Sequence, residues 1–235
     1  MSRAAELAVA VIAKECLPGK AKTRLTPPLR PVQAAALAQS SLSQTLDTVR
    51  SLPAGRRLLV FQGTARESDA AGFELVPQAA GGLDERLAAI CTASAGPLLI
   101  LGMDTPQFTA ADLQSMFDDW SAEQPRHDAW LGLADDGGFW ALALAEPDPE
   151  LIRGVPMSTG FTGQAQHDRL TDAGLAVGLL PQLRDVDYFE DAQHVARLCP
   201  GSRFAAHVAS FAAGPAVVAG PAEAAVQRED LGALR

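Results

Sequence analysis

Leu7-Ala-Val-Ala-Val-Ile-Ala13 runs directly into Lys14-Glu-Cys-Leu-Pro-Gly-Lys-Ala-Lys-Thr-Arg-Leu25. The first stretch is an unbroken apolar run, the pattern of a strand buried on both faces of a parallel sheet. The second begins a basic loop in which Pro18-Gly19 forces a turn. Lys14, Lys20 and Lys22 are the only lysines in the chain, and Arg24 follows them at once. A strand that opens into such a loop offers backbone N–H groups and cations to an anion, typically a phosphate. The competing reading is a solvated surface loop.

Outward from this stretch, apolar runs alternate with helical stretches, which is the mark of an α/β fold with a mostly parallel central sheet flanked by helices. A long helix is expected over Pro31–Leu52, which lacks internal Gly or Pro. Further strands are expected at Arg57–Phe61, Phe73–Val76, Pro97–Gly102, Asp128–Leu133, Phe139–Leu144 and Leu175–Leu180. Further helices are expected at Leu83–Thr92, from Thr109 as N-cap to Trp120, Gly160–Ala173 and Tyr188–Cys199. After Ser202 the composition drifts to Ala, Gly, Pro and Val, so we divide the chain into a domain at 1–204 and a weakly ordered tail at 205–235.

Composition narrows the function. The chain has 235 residues, 48% of them hydrophobic, and a net charge of -9. That charge argues against non-specific nucleic-acid binding and against an anionic membrane surface, and it suits a protein that holds divalent cations with carboxylates. Cys16, Cys91 and Cys199 are far apart and odd in number. They predict neither a disulfide framework nor a zinc site, and they fit a cytoplasmic location. The N-terminal apolar run is too short for a signal peptide, and no stretch is long enough to insert in a membrane.

Three more motifs carry candidate chemistry. Gly102-Met-Asp104-Thr-Pro106 follows the most apolar strand, where ligands bind in open α/β sheets. Asp104 is placed there to hold a Mg²⁺ or Mn²⁺ ion, or else to cap the next turn. Ala134-Asp-Asp136-Gly-Gly138-Phe-Trp140 reads as a hairpin turn that can also present Asp136 to a substrate. In Asp185-Val-Asp187, alternation puts both carboxylates on one face, and Asp191 falls in the first turn of the next helix. Ser158 or Thr159 is expected to cap the helix that follows.

Taken in order, these motifs resemble the bacterial DUF2064 family, in the nucleotide-diphospho-sugar transferase superfamily with the GT-A (Rossmann-like) fold. The resemblance spans about residues 7–204. It implies that Lys14, Gly19, Lys20, Lys22 and Arg24 line a nucleotide diphosphate. It implies that Asp104 is a metal ligand, Asp187 a second one, and that Asp136 faces the acceptor or sugar. We therefore assign Asp136 as the catalytic residue on the acceptor side. Departures from the family pattern are Cys16 and Leu133 where proline is common, Phe139 for tyrosine and Met157 for tryptophan.

The activity implied is a metal-dependent glycosyltransferase that moves a sugar from a nucleotide sugar to a small-molecule acceptor. A nucleotidyltransferase is the alternative, because Lys20-Ala-Lys-Thr-Arg-Leu25 also resembles the motif of 2-phospholactate guanylyltransferases. It would take a nucleoside triphosphate and a phosphorylated small molecule, and release pyrophosphate. A nucleotide-binding protein without turnover is the third reading. A homo-oligomer is compatible with all three.

Overall fold

The computed structural model describes residues 2–212. The Leu7–Ala13 run forms β1 (Ala8–Lys14), whose two faces feed two separate cores. Val9, Val11 and Ala13 point to one side of the sheet, and Ala8, Ala10 and Ile12 to the other. This two-sided burial is why the strand reads as continuous apolar sequence and not as an alternation.

The chain continues through α1 (Pro31–Ser51), β2 (Arg56–Gln62), α2 (Glu67–Ala70), β3 (Glu74–Pro77), α3 (Leu83–Thr92) and β4 (Leu98–Leu101). Next come α4 (Gln114–Ser121), β5 (Ala129–Leu133), β6 (Phe139–Leu144) and α5 (Thr162–Asp172). The described residues end with β7 (Val177–Leu179), α6 (Phe189–Leu198) and α7 (Arg203–Ala212).

The seven strands form one sheet in the order β3-β2-β1-β4-β6-β5-β7. β1 pairs in parallel with both β2 and β4, β2 with β3, and β5 with β7. Only β6 runs against its neighbours β4 and β5. Leu42, Leu46 and Val49 of α1 and Met116, Phe117 and Trp120 of α4 cover one face. Leu87, Ile90 and Cys91 of α3 and Leu170 of α5 cover the other. The α/β architecture with helices on both faces of a mostly parallel sheet is thus as the sequence predicts.

Local departures have local causes. Thr109 pairs reciprocally with Asp112, its backbone N–H donating to Asp112 Oδ2 at 2.7 Å, but the first turn that follows is 3₁₀ (Ala110–Leu113) before α4 begins. The N-cap of α5 is Phe161, not Ser158 or Thr159; Thr159 Oγ1 accepts from the Phe161 N–H at 3.4 Å. Gly132 sits in β5 because the Trp140 indole lies where its Cβ would be, 2.5 Å from the nearest ring atom.

The boundary drawn at 204 falls inside α7. Phe204 is fully buried and Val208 nearly so, packed with Leu25, Leu29 and Leu37 and with Val195 of α6. Phe204 and Val208, with Phe211 at the edge, therefore belong to a third core between α1, α6 and α7. The rest of the tail, 213–235, lies outside the described residues.

Truncating a fully buried aromatic removes its transfer energy and leaves a cavity, about 3–5 kcal/mol together. Phe204→Ala should lower the denaturation free energy by that amount in urea titration. A change below about 1 kcal/mol would return 203–212 to a dispensable tail.

Candidate active site

The sheet order makes a crevice. β1 connects outward to β2 on one side and is flanked by β4 on the other, so the loops at their carboxyl ends part at this point. A cleft of about 510 Å³ opens there, in the size range of ligand sites. Asp104, Asp136, Asp185 and Asp187 line it on one side of β1, and Gln62, Gln78 and Arg86 on the other. An adjoining recess of about 260 Å³ is lined by Lys14, Lys20, Lys22 and Arg24, and it shares Lys14, Met103, Asp104 and Asp187 with the cleft.

Each loop is held by specific bonds. Ser41 Oγ of α1 donates to the Met103 carbonyl at 2.7 Å, which anchors the segment after β4. The Val186 N–H donates to the Asp104 carbonyl at 3.0 Å, and Gln107 Nε2 to the Arg184 carbonyl at 2.6 Å. These two bonds join the segments that carry Asp104 and Asp187. The hairpin turn between β5 and β6 closes through Gly137 N–H to the Ala134 carbonyl at 3.1 Å. Gly137 has φ +87°, and a Cβ there would lie 2.0 Å from the Gly160 carbonyl oxygen, so a side chain is excluded. Asp135 is tied outward to Gln182 and Arg184, while Asp136 Oδ1 accepts from the Gly138 N–H at 2.7 Å. Of the following aromatics, Trp140 is core, with Nε1 donating to the Pro181 carbonyl at 3.0 Å, and Phe139 is half-buried at the cleft wall.

The electrostatic centre is Lys22. Its Nζ lies 3.0 Å from Asp104 Oδ2 and 2.8 Å from Asp187 Oδ1, and Arg24 Nη1 takes the other Asp187 oxygen at 2.7 Å. Burial works against the Lys22 ammonium, but the Asp104 and Asp187 carboxylates outweigh it and hold its pKa above the ordinary lysine value. Burial also works against the Asp187 carboxylate, and Lys22 and Arg24 reverse that and lower its pKa. Asp185 has no such partner. Burial first, and the neighbouring Asp136 carboxylate second, push it up to about 6.

Asp136, Asp185 and Asp187 each offer an oxygen within 4.8 Å of the others, a set that could hold a metal ion. Hard divalent cations take carboxylate oxygens, so the donor chemistry fits Mg²⁺ or Mn²⁺. The sequence motifs place Asp136 apart from the metal group; the structure brings it to Asp185 and Asp187. Asp104 is joined to this group through Lys22 and lies outside that triad. Lys14, Lys20, Lys22 and Arg24 do share one recess, whereas Gly19 is an exposed turn residue with φ +73° and lines neither cavity. Asp185 was not among the assigned ligands. The alternation that puts it on the same face as Asp187 was the available signal.

The chain matches the model of a family described as "Uncharacterized protein conserved in bacteria (DUF2064)" over residues 45–159. That stretch contains the Asp104 and Asp136 motifs, and the match agrees with the resemblance drawn from motif order. No curated protein matches the sequence. Among solved structures, a candidate nucleotide-diphospho-sugar transferase from Desulfovibrio desulfuricans G20 superposes with a TM-score of 0.77 at 23% identity, covering 91% of this chain and 96% of that one. A cytidylyltransferase from Leptospira borgpetersenii serovar Hardjo-bovis (strain JB197) gives 0.51 at 15% identity, over 89% and 95%. A manganese complex of Rv0371C from Mycobacterium tuberculosis H37Rv gives 0.50 at 16%, over 81% and 98%. These likenesses establish a shared fold.

The raised Asp185 pKa has a signed consequence. Its folded value of about 6 exceeds its ordinary 3.8, so ionising it costs the folded state stability. That cost is fully present above about pH 6 and is relieved as pH falls toward 3.8. In EDTA, Asp185→Asn should melt higher than wild type at pH 7.5, with the difference shrinking toward pH 4. Identical melting at every pH would show that Asp185 is not held in an unfavourable charged state.

Proposed function

We propose that this DUF2064-related chain is a metal-dependent transferase acting on a nucleotide-activated donor, and that it moves a sugar from a nucleotide sugar to a small acceptor. One observation carries the reading. A recess of lysines and arginine and a cluster of carboxylates meet at Asp104 and Asp187, on the carboxyl edge of the sheet. A nucleoside diphosphate group needs both: cations for its oxygens, and carboxylates for the ion that accompanies it.

In this reading Lys14, Lys20, Lys22 and Arg24 bind the phosphates of the donor. Charge-assisted bonds of this kind contribute about 1.5–3 kcal/mol each. Asp104 and Asp187, with Asp185 beside them, would hold Mg²⁺ or Mn²⁺. When bound, such an ion neutralises the charge that develops on a departing diphosphate. The backbone turn of Gly137 and Gly138 and the side chain of Asp136 face the acceptor end of the cleft. Asp136 is exposed and close to the carboxylates, so it would either take the proton of an acceptor hydroxyl or join the ion's ligands. Phe139, Met157 and Thr159 line the wall beside it. No helix among the described residues is long and apolar enough to cross a membrane.

A nucleotidyltransferase is the second reading. The cationic recess favours it, since four basic side chains suit a triphosphate and a departing pyrophosphate as well as a diphosphate. The released product separates the two: a nucleoside diphosphate from sugar transfer, pyrophosphate from nucleotidyl transfer.

The test is a thermal-shift and calorimetric panel of nucleotide sugars and nucleoside triphosphates, with Mn²⁺ or with EDTA. A ligand at 100-fold over its Kd should add roughly 2.7 kcal/mol of apparent stability. Arg24→Ala should weaken the best ligand about tenfold or more, and Asp104→Asn should abolish the part of the stabilisation that depends on metal. If no nucleotide or nucleotide sugar stabilises the protein under either condition, the proposal is wrong.

A further inference from the structure

We propose that Lys22 is a tethered cation that keeps divalent ions off the Asp104–Asp187 pair, and that a metal enters there only as the ammonium swings out toward the anion recess. The inference rests on the metal assignment above and deepens it by giving the site an order of events.

The geometry makes the two cations exclusive. The Lys22 ammonium already lies 3.0 Å from Asp104 Oδ2 and 2.8 Å from Asp187 Oδ1. If Asp104 and Asp187 held an Mg²⁺ or Mn²⁺ ion through those oxygens, short metal–oxygen distances of about 2.1 Å would require the same space. The second Asp187 oxygen is paired with Arg24 at 2.7 Å, so both oxygens of that carboxylate already face a cation. Only 13% of the Lys22 side chain is exposed, so solvent does not dilute the contact.

The backbone is poised in the same way. Lys22 has φ 47° and ψ 48°, the left-handed region that residues with a side chain seldom occupy. It stands at the entry to the Thr23–Leu25 turn, where the Leu25 N–H donates to its carbonyl at 3.0 Å. A second place for the ammonium is at hand, because Lys22 lines the recess it shares with Lys14, Lys20 and Arg24. Asp104 and Asp187 line both cavities, so the side chain stands at their junction.

Charge then couples the two ligands. Asp104, Asp187 and Lys22 together carry one negative charge; with a divalent ion in place of the ammonium, the two carboxylates are neutral. The released ammonium adds one positive charge to the recess. Ion entry therefore strengthens phosphate binding, and by linkage phosphate binding strengthens ion entry by the same factor. Couplings of this type run from about 5-fold to 150-fold.

The chain's three lysines make the exchange directly readable. The full-length protein is acetylated briefly in EDTA and, separately, at saturating Mn²⁺, with no nucleotide present, and the lysines are quantified by peptide mass spectrometry. Lys22 should be the slowest to react in EDTA, and several-fold faster with Mn²⁺, while Lys14 and Lys20 change little. In parallel, Lys22→Met should bind Mn²⁺ at least tenfold more tightly than wild type, and adding Asp104→Asn should cancel the gain. Unchanged Lys22 protection at Mn²⁺ saturation overturns the proposal, as does a Lys22→Met protein that binds the ion no better. Should the variant fold only in Mn²⁺, that rescue is the expected tightening, and labelling of the wild type decides independently. Absence of Mn²⁺ binding to both proteins removes this inference and the metal assignment together. A failure of every nucleotide to bind removes the donor assignment and leaves the exchange intact.

Discussion

An ammonium group between two carboxylates holds this site together. Asp104 follows β4, Asp187 follows β7 and Lys22 follows β1, so three loops distant in sequence meet at one largely covered cation. Without it, the Asp104, Asp185 and Asp187 side chains would stand close together with only Arg24 to offset them. Desolvation of such a triad opposes most of its Coulombic attraction, so its contribution lies in fixing where the loops sit more than in stability. The uncharged bonds around it, Val186 N–H to the Asp104 carbonyl and Ser41 Oγ to the Met103 carbonyl, hold the same segments from behind.

Sheet topology explains why those loops can converge. β5 runs parallel to β1 and β4, because the antiparallel β6 lies between β4 and β5. Its carboxyl end, and with it the turn carrying Asp136, therefore opens on the edge where β1 and β4 deliver Lys22 and Asp104. β7 is parallel to β5 and delivers Asp185 and Asp187 to that edge as well. A single reversed strand is thus enough to bring a hairpin turn into a site otherwise built from strand-to-helix loops.

Much of this was legible from the chain, and the omissions share a cause. Buried strands announce themselves as apolar runs, and the Lys14–Leu25 loop and the Asp104 and Asp136 motifs fall at strand ends, so their placement at a common edge follows from the fold class. The boundary at 204 cuts α7 because 203–212 is rich in alanine, which carries little periodic signal, and only Phe204, Val208 and Phe211 reveal its apolar face. β7 has three residues where six were expected, since only Val177–Leu179 find a partner along β5. The approach of Asp136 to Asp185 and Asp187 spans about fifty residues of sequence, and no local pattern encodes it. Lys22 was read as a phosphate contact from its loop. That its ammonium also rests on two carboxylates depends on three loops packing at once.

The charge distribution gives the site its selectivity. With a net charge of -9 the molecule repels polyanions at long range, and a nucleic acid must approach across that whole surface. A small phosphorylated ligand need not. At physiological ionic strength charges more than about 8 Å apart are screened, so within the recess it senses mainly Lys14, Lys20, Lys22 and Arg24 together with Asp104 and Asp187. Two of those four cations are already engaged, Lys22 by both aspartates and Arg24 by Asp187. The recess therefore draws a lone anion weakly. It would become strongly cationic only when something else satisfies the carboxylates, which in the proposed function is a divalent ion arriving with the phosphates. With the chain's lysines concentrated in one loop and acids placed against one of them, the proposed exchange would make the site respond to the pair of ligands more than to either alone.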